Sequence, residues 1–440
     1  MRWLLGLTAV ATAGIAWGQE PAPPDTQALS LALAVSLALE KNPSLAAARE
    51  DLPAAQARLR MAQAAGRLSA SANAYASTGT MGATMPSSES VMPRMYMGVP
   101  ADPRFDQNLT LMYPLSTGGR IGSQIRAAGA QVQATTQDIE SMVLDVAYAV
   151  RAAYWQALYQ RELVKVQEES VSEQQERLRV DQAKYDAGKI PLFYVLRDKA
   201  ELADAEQQLT NAGRDAETAL LDVRNAIGLQ LTARVELTDK LLYDPAAADQ
   251  DIDRLLADAL ANRPEALALQ ARLTAAEREV AARKAAYRPQ VDGMVMLDAG
   301  KTSGADFMGG YTVGLVGSLP LLDGGERRAS VSEAEAMVRK LGQEREALDL
   351  QIERELRTAL LDLAAANKNV RTALEAEASA EEDHRVASIG YQAGKLINLE
   401  AVSALATLVK ARTNVTRAIY EYNLAADAVR RAVGALPTPP

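Results

Sequence analysis

Two long stretches of the chain contain no proline and carry an apolar residue at every seventh position. They run from Leu115 to Ile190 and from Leu321 to Leu436. The seven-residue series of the first stretch is Val143, Val150, Ala157, Val164, Val171, Leu178 and Tyr185. The series near the C-terminus is Leu408, Val415, Tyr422 and Val429. Because a proline-free seven-residue repeat is typical of helices that supercoil around their neighbours, the pattern predicts very long helices.

A short motif of tyrosine, alanine, glycine and lysine follows the first long helical pattern of each half, once at 185–189 and once at 391–395. Gly188 and Gly394 suit the left-handed position that ends a helix. Pro191 suits the first turn of a returning helix, although the second copy has isoleucine there. Each half is therefore expected to form an antiparallel hairpin whose longer helix spans roughly 100 Å at 1.5 Å per residue. The expected helices cover about 118–188, 191–228, 324–394 and 396–434.

The segments before the hairpins change to an alternation of apolar and polar residues. Leu109, Leu111 and Tyr113, for example, alternate with Asn108 and Thr110. This period of two predicts strands with one apolar and one polar face, and about ten tilted residues suffice to cross an outer membrane. The four expected strands cover about 67–79, 105–115, 288–299 and 309–321.

Strands and helices both require more than one copy of the chain. Four strands cannot close a barrel alone, because the smallest single-chain barrels use about eight strands. Open sheet edges are not tolerated in lipid, so a membrane barrel would have to be shared between chains. Two helices per half also cannot bury apolar stripes of this length. The residues thus predict an oligomer without fixing the number of subunits.

The two halves are copies of one plan. Three pairs of equivalent residues are separated by 206 positions each: Pro114 and Pro320, Gly188 and Gly394, and Gly228 and Gly434. Upstream, Pro43 and Pro264 are separated by 221 positions, so the first half holds 221 − 206 = 15 extra residues between Met61 and Tyr113. The expected domains are repeat 1 at 19–228 and repeat 2 at 229–440.

The first eighteen residues resemble a secretory signal peptide. Arg2 precedes an apolar run, and Ala16 and Gly18 place small residues before Gln19. The alternative is a retained membrane anchor. No later segment has eighteen consecutive apolar residues, so no transmembrane helix is expected after it. The chain is therefore expected to be exported.

The amino-acid composition excludes or disfavours most classes of enzyme. The chain has no cysteine and one histidine, His384, which excludes disulfides and cysteine nucleophiles and disfavours an imidazole-based triad. The net charge of −9 disfavours a general nucleic-acid binder, which needs an excess of lysine and arginine. We expect no catalytic residues, no cofactor and no metal site.

A signal peptide followed by two repeats, each with two strands and a hairpin of very long helices, resembles the TolC-like outer-membrane efflux factor family. The likeness covers essentially all of the mature chain, including the paired Pro-Leu-x-x-Gly-Gly strand ends at 114–119 and 320–325. It implies a mainly α fold with a β-barrel part: a homotrimer with a twelve-stranded barrel in the bacterial outer membrane and a helical tunnel in the periplasm.

The resemblance also implies a function, namely a passive exit duct of a tripartite efflux or type I secretion system. A periplasmic adaptor would dock at the turns, and an inner-membrane pump of the RND, ABC or MFS type would supply energy. The docking candidates are Tyr185, Gly188, Lys189, Tyr391, Gly394 and Lys395. The alternative from another class is a secreted trimeric coiled-coil scaffold without a conducting lumen.

In the family, acidic residues near the second turn often constrict the aperture. Here Glu400 stands six residues after Gly394, whereas Ser403 replaces an acid three residues later. Three copies of Glu400 around one axis would attract cations; the alternative is an ordinary solvated glutamate near a helix start. The matching first-half positions are Tyr194 and Arg197, and Arg197 could pair with Glu400 of a neighbouring chain.

His384 occupies the repeat-2 equivalent of Leu178, since 178 + 206 = 384, and Glu377 likewise replaces Val171. Two polar residues on a helix seam could loosen its packing and make it responsive to pH. The alternative is a histidine partly exposed between helices.

Five methionines lie in the segment that holds the extra residues: Met81, Met85, Met92, Met95 and Met97. The prolines and serines of this segment favour a first interpretation, an external loop. Thioethers are also soft ligands for Cu(I), which leaves copper binding as a second interpretation.

Overall fold

A computed structural model describes residues 27–77, 104–245, 251–302 and 307–435, and it contains two copies of one unit. The expected signal peptide and the methionine-rich segment Met81–Met97 lie outside the described residues. Repeat 1 comprises β1 (Gln27–Leu29), α1 (Leu31–Lys41), α2 (Pro43–Ala64), β2 (Ser69–Ser77), β3 (Arg104–Ser116), α3 (Arg120–Asp186) and α4 (Leu192–Ile227). Repeat 2 comprises β4 (Val235–Leu237), α5 (Ile252–Asn262), α6 (Pro264–Lys284), β5 (Gln290–Thr302), β6 (Met308–Ser318), α7 (Glu326–Gln392) and α8 (Asn398–Val433).

The long helices confirm the repeat. Helices α3 and α7 each have 67 residues, and α4 and α8 each have 36. Their first residues are 206 positions apart, since 326 − 120 and 398 − 192 give the same difference. Among the described residues, no helix combines the length and apolar character needed to cross a membrane.

The membrane-length strands form one antiparallel sheet in the order β2-β3-β5-β6. The two repeats therefore join through the β3–β5 pair, in which Leu109 lies opposite Leu297. Strands β2 and β6 are the two edges of this sheet within the described part of one protomer. The first strand begins at Ser69, two residues after the expected start at 67, and its described part runs to Ser77.

A tight glycine turn carries β3 directly into α3, and the same pair of glycines precedes α7. Gly118 and Gly119 have φ values of 61° and 91°, and Gly324 and Gly325 repeat this geometry. A side chain at Gly118 would place its Cβ 2.6 Å from the Cβ of Arg288. Glycine is thus required there by both backbone conformation and space, and the turn fixes α3 relative to β3.

Each hairpin buries the seam that the seven-residue pattern predicts. Val150, Ala157 and Val171 are buried on α3, and Leu408 and Val415 are buried on α8. The densest core lies where α1, α3 and α4 meet the short parallel pair β1–β4, around Tyr154, whose hydroxyl donates to the carbonyl of Leu29 at 2.8 Å. The short helices α1, α2, α5 and α6 and this small sheet are elements that the sequence patterns did not predict.

A buried ion pair connects the two repeats along α3 and α8. Arg151 donates to both carboxylate oxygens of Asp427 at 2.8 Å, and the Trp155 indole donates to the same carboxylate at 2.8 Å. Arg430 adds a fourth hydrogen bond from the exposed side, at 2.9 Å. Asp427 is 1% exposed, so its charge depends on these donors for compensation.

Replacing Asp427 with alanine should therefore leave the Arg151 charge buried without a partner. We expect a loss of stability of about 3–5 kcal/mol, seen as a lower unfolding temperature of detergent-purified protein. Asp215→Ala, which breaks the exposed Arg214–Asp215 pair, is the control and should cost less than about 1 kcal/mol. Equal effects of the two variants would contradict the importance of the buried pair.

Candidate functional site

The two hairpin turns lie at the same end of the helices, and we call them tip 1 (185–191) and tip 2 (391–397). Gly188 and Gly394 adopt the expected left-handed conformation, with φ values of 70° and 71°. In tip 1 the Lys189 amide donates to the Lys184 carbonyl at 2.9 Å, and in tip 2 the Lys395 amide donates to the Gly390 carbonyl at 2.9 Å. These bonds close the last helical turns and leave both lysines exposed.

Just above the tips, three polar side chains are buried between the two hairpins. Asp181 on α3, Asp198 on α4 and Asn398 on α8 are each fully buried. The Asn398 amide donates to Asp181 at 3.0 Å and to Asp198 at 3.2 Å. The Tyr391 hydroxyl donates to the two Asp181 oxygens at 2.7 and 2.6 Å. We call these four residues the tip cluster; every hydrogen bond named here joins one hairpin to the other.

Two cations border the tip cluster. Lys184 lies 3.3 Å from an Asp181 oxygen, and its ammonium group stands 3.9 Å from the centre of the Tyr391 ring. Arg177 donates to the carbonyl of Ala401 at 3.2 Å, which joins α3 to α8. Burial lowers the pKa of Arg177, while the nearby Asp198 and Asp181 carboxylates act in the opposite direction.

The electrostatics of the tip cluster favour the protonated form of Asp198. Burial and the neighbouring Asp181 carboxyl together raise the pKa of Asp198 from 3.8 to about 6, against the lowering effects of Asn398 and Arg177. Burial and the bond to Asp181 also raise the pKa of Tyr391, so its hydroxyl stays a proton donor at all physiological pH values. Two carboxyls in one dry cluster are costly when both are ionised.

The predicted gate residues lie next to the tip cluster but outside it. Glu400, Ser403 and Arg197 are exposed within the first two turns of α8 and α4, and Tyr194 is half-buried. The Tyr194 ring stacks on Phe193 with centroids 4.1 Å apart. Within the described part of one protomer, neither Glu400 nor Arg197 forms a salt bridge. These two side chains are thus available to another chain.

His384 lies farther along the same seam. Its Nε2 is 2.8 Å from a Glu173 oxygen, which joins α7 to α3, and its side chain is 15% exposed. Arg412 on α8 lies beside it and pairs with Glu169 at 2.6 Å and with Glu381 at 3.1 Å. Burial raises the pKa of Glu377 in this group, and Glu381 raises it further. Around His384, α3, α7 and α8 therefore meet through a network of charged side chains. The repeat-1 equivalents of His384 and Glu377 are apolar.

Sequence reasoning assigned Tyr391 to the turn and missed the other members of the tip cluster. One signal was present in the repeat. Asp181 and Asp198 are equivalent to Ala387 and Ala404, since 181 + 206 = 387 and 198 + 206 = 404, and both alanines are buried. A carboxylate at a position where the other copy has a buried alanine indicates a buried polar group with a specific partner.

Comparisons with known proteins agree with this architecture. Residues 34–229 and 255–435 match the family model for outer membrane efflux proteins. The chain belongs to the outer membrane efflux protein family. It is an outer-membrane channel of tripartite efflux systems, extends into the periplasm and has no enzymatic activity.

Named relatives are similar over most of their length. The outer membrane efflux protein BepC of Brucella suis biovar 1 is 24% identical over 328 residues, which cover 73% of this chain and 70% of BepC. The solved structure of the outer-membrane channel OprN has a TM-score of 0.79 at 22% identity and covers 93% of this chain and 91% of its own. The CmeC channel of Campylobacter jejuni has a TM-score of 0.78 at 17% identity, covering 98% and 94%.

The raised pKa of Asp198 predicts that the tip cluster weakens as pH rises. A carboxyl whose pKa is raised in the folded cluster stabilises it fully at low pH and loses that contribution between its ordinary value of 3.8 and about 6. Hydrogen exchange at the ends of α3 and α4, corrected for intrinsic rates, should show protection falling over this window. Asp198→Asn should flatten the profile.

Asp204→Asn, an exposed change on the same helix, is the control and should keep the pH profile. A profile that Asp198→Asn leaves unchanged would show that another group, such as His384 or Glu377, governs the tips.

Proposed function

We propose that three copies of this chain form a passive exit duct whose resting state is closed at tips 1 and 2. Channels of this family are homotrimers that work with adaptors and pumps. Substrate enters from an inner-membrane pump, crosses the periplasm inside the helical tunnel and leaves through the barrel. The duct makes and breaks no covalent bonds, so the pump supplies the energy.

The observation that carries this proposal is the tip cluster. Asp181 on the first hairpin is hydrogen-bonded to Tyr391 and Asn398 on the second; the Asn398 bond is buried, and the Tyr391 bond is partly buried. Opening the tips by moving the hairpins apart requires breaking them together. Hydrogen bonds to a charged group contribute about 1.5–3 kcal/mol each, so a few of them suffice to keep the resting state closed.

The exposed turns are the proposed docking surface for a periplasmic adaptor. Lys189 and Lys395 project from them, and Gly188 and Gly394 leave the backbone accessible, with open space where a side chain would be. Tyr185 is 36% exposed and belongs to the same surface. An adaptor that binds here contacts residues within one helical turn of the tip cluster and so can weaken it. The pump behind that adaptor is of the RND, ABC or MFS type.

The aperture itself is assigned to the exposed residues beside the tip cluster. In a trimer, three copies of Glu400 in the first turn of α8 form a carboxylate ring, with Ser403 one turn behind it. Arg197 and Tyr194 occupy the matching turn of α4 and face the next protomer in this arrangement. The ring favours cations, and Arg197 limits its net charge.

Tyr391→Phe should make the resting channel leakier, because it removes both bonds to Asp181 and keeps the ring. We expect the open fraction to rise roughly tenfold or more, equivalent to about 1.5–3 kcal/mol, in single-channel recordings of purified protein in planar bilayers. Tyr185→Phe is the matched control, since 185 + 206 = 391 places it in the equivalent turn, and it should behave like the unmodified protein.

Equal resting conductance in the Tyr391→Phe and Tyr185→Phe channels would contradict the proposed closure by the tip cluster. No current from protein shown to be folded and trimeric would contradict the duct itself and favour a scaffold.

Glu400→Ala should reduce cation preference, because the ring of three carboxylates would be lost. Reversal potentials measured in a salt gradient report this directly. Glu421→Ala, an exposed change farther along α8, is the control. If both variants keep the same selectivity, Glu400 is an ordinary surface glutamate and the aperture lies elsewhere.

A further inference from the structure

The polar face of the β2-β3-β5-β6 sheet carries three methionines. Met112 on β3 lies directly opposite Met294 on β5, and Met296 is two residues farther along β5 on the same face. The other face of these strands carries Leu109, Tyr113 and further large apolar residues that are exposed in one protomer. In an outer-membrane barrel the apolar face meets lipid and the polar face lines the lumen, so these three residues, the thioether triad, face the lumen.

The register allows the three sulfur atoms to approach one point. Directly opposed residues of an antiparallel pair have Cβ atoms about 4.5–5.5 Å apart, and diagonal neighbours are within reach of long side chains. Gly314 on β6 lies beside Met294, and a side chain there would meet nothing within 4 Å. Methionine has three rotatable bonds, so Met294 can turn away from this open side, towards Met112 and Met296.

The surroundings do not explain the triad as core packing. On this face Met296 lies between Thr110 and Thr312, and Met294 lies between Met112 and Gly314. Among the described residues there is no buried apolar cluster for the methionines to fill, since the hydrophobic cores lie among the helices and the small β1–β4 sheet. Core packing therefore does not explain why three methionines stand among threonines on a surface that faces water.

Carboxylates bracket the triad along the same strand. Asp292, Met294, Met296 and Asp298 alternate on one face of β5, so an acid stands two residues before and two residues after the methionine pair. Between the levels of these two acids, the polar face of the four described strands carries no lysine or arginine. The local field therefore attracts cations, and the sulfur atoms select soft ones.

We propose that the thioether triad is a lumenal binding site for a soft monovalent cation of the Cu(I) or Ag(I) class. Three neutral sulfur donors suit such ions and bind hard divalent ions poorly. The flanking aspartates raise the local concentration of cations without being required as ligands. The site makes soft metal ions a substrate class that this duct can accommodate during passage.

The test uses the full-length, detergent-purified channel in nitrate salts with Ag(I) as the probe, because silver does not change oxidation state. Bound silver is measured by mass spectrometry after exchange against a weak competing ligand. The triple variant Met112→Leu, Met294→Leu and Met296→Leu keeps side-chain volume and should lose about one bound silver ion per chain. X-ray absorption spectroscopy at the silver edge should show that silver bound to this variant has fewer sulfur neighbours than silver bound to the unmodified protein.

The control variant Met61→Leu with Met337→Leu removes two exposed thioethers from α2 and α7 and should keep the silver content of the unmodified protein. Methionines common to both variants, including Met81–Met97, contribute equally and cancel. If the triple variant does not fold, Met294→Leu alone should weaken silver binding at least tenfold. Unchanged binding in the triad variants, or an equal loss in the control, would overturn the proposal.

Discussion

Within the described part of the chain, the four-stranded sheet has two edges without a partner strand, and these edges are the constraint on which the rest of the structure depends. Strands β2 and β6 each present a row of backbone donors and acceptors on one side, and such groups cannot remain unpaired in hydrocarbon. The edge of one protomer must therefore pair with the edge of another, which makes assembly a condition of membrane insertion. The apolar outer face and the polar inner face follow from the same closure.

This constraint reaches the periplasm through the short connection between β3 and α3. Three residues separate β3 from α3, and their paired glycines have a fixed left-handed geometry. Ring closure of the strands thus also arranges the long helices side by side. Their apolar seams then hold each hairpin along most of its length. Near the tips apolar packing gives way to Asp181, Asp198 and Asn398, whose contacts can exchange with water. Polar contacts of this kind suit a part of the hairpin contact that has to open, because water can replace them when the helices separate.

The sequence alone was sufficient to predict those features of the fold whose signal is local or repeated along the chain. Seven-residue spacing predicts α3 and α8, alternation predicts β3 and β5, and the 206-residue offset reveals the duplication. The tip cluster could not be predicted in this way, because Asp181 and Asn398 are 217 positions apart and meet only after both hairpins fold. The short helices α1 and α5 were missed because their apolar runs are brief and rich in alanine. Glu400 and Arg197 lie near the starts of α8 and α4, and their roles stay predictions because they depend on neighbouring chains.

The measurement that tests the central claim most directly is the distance between the two tips. The chain has no cysteine, so spin labels at Lys189→Cys and Lys395→Cys are unique, and trimers diluted with unlabelled chains isolate one pair. Double electron–electron resonance should give one short, narrow distribution of spin-label distances for the resting channel. When Asp181 is replaced by alanine, a second population at longer distance should appear. Identical distance distributions with and without Asp181 would contradict the claim that the tip cluster holds the hairpins together.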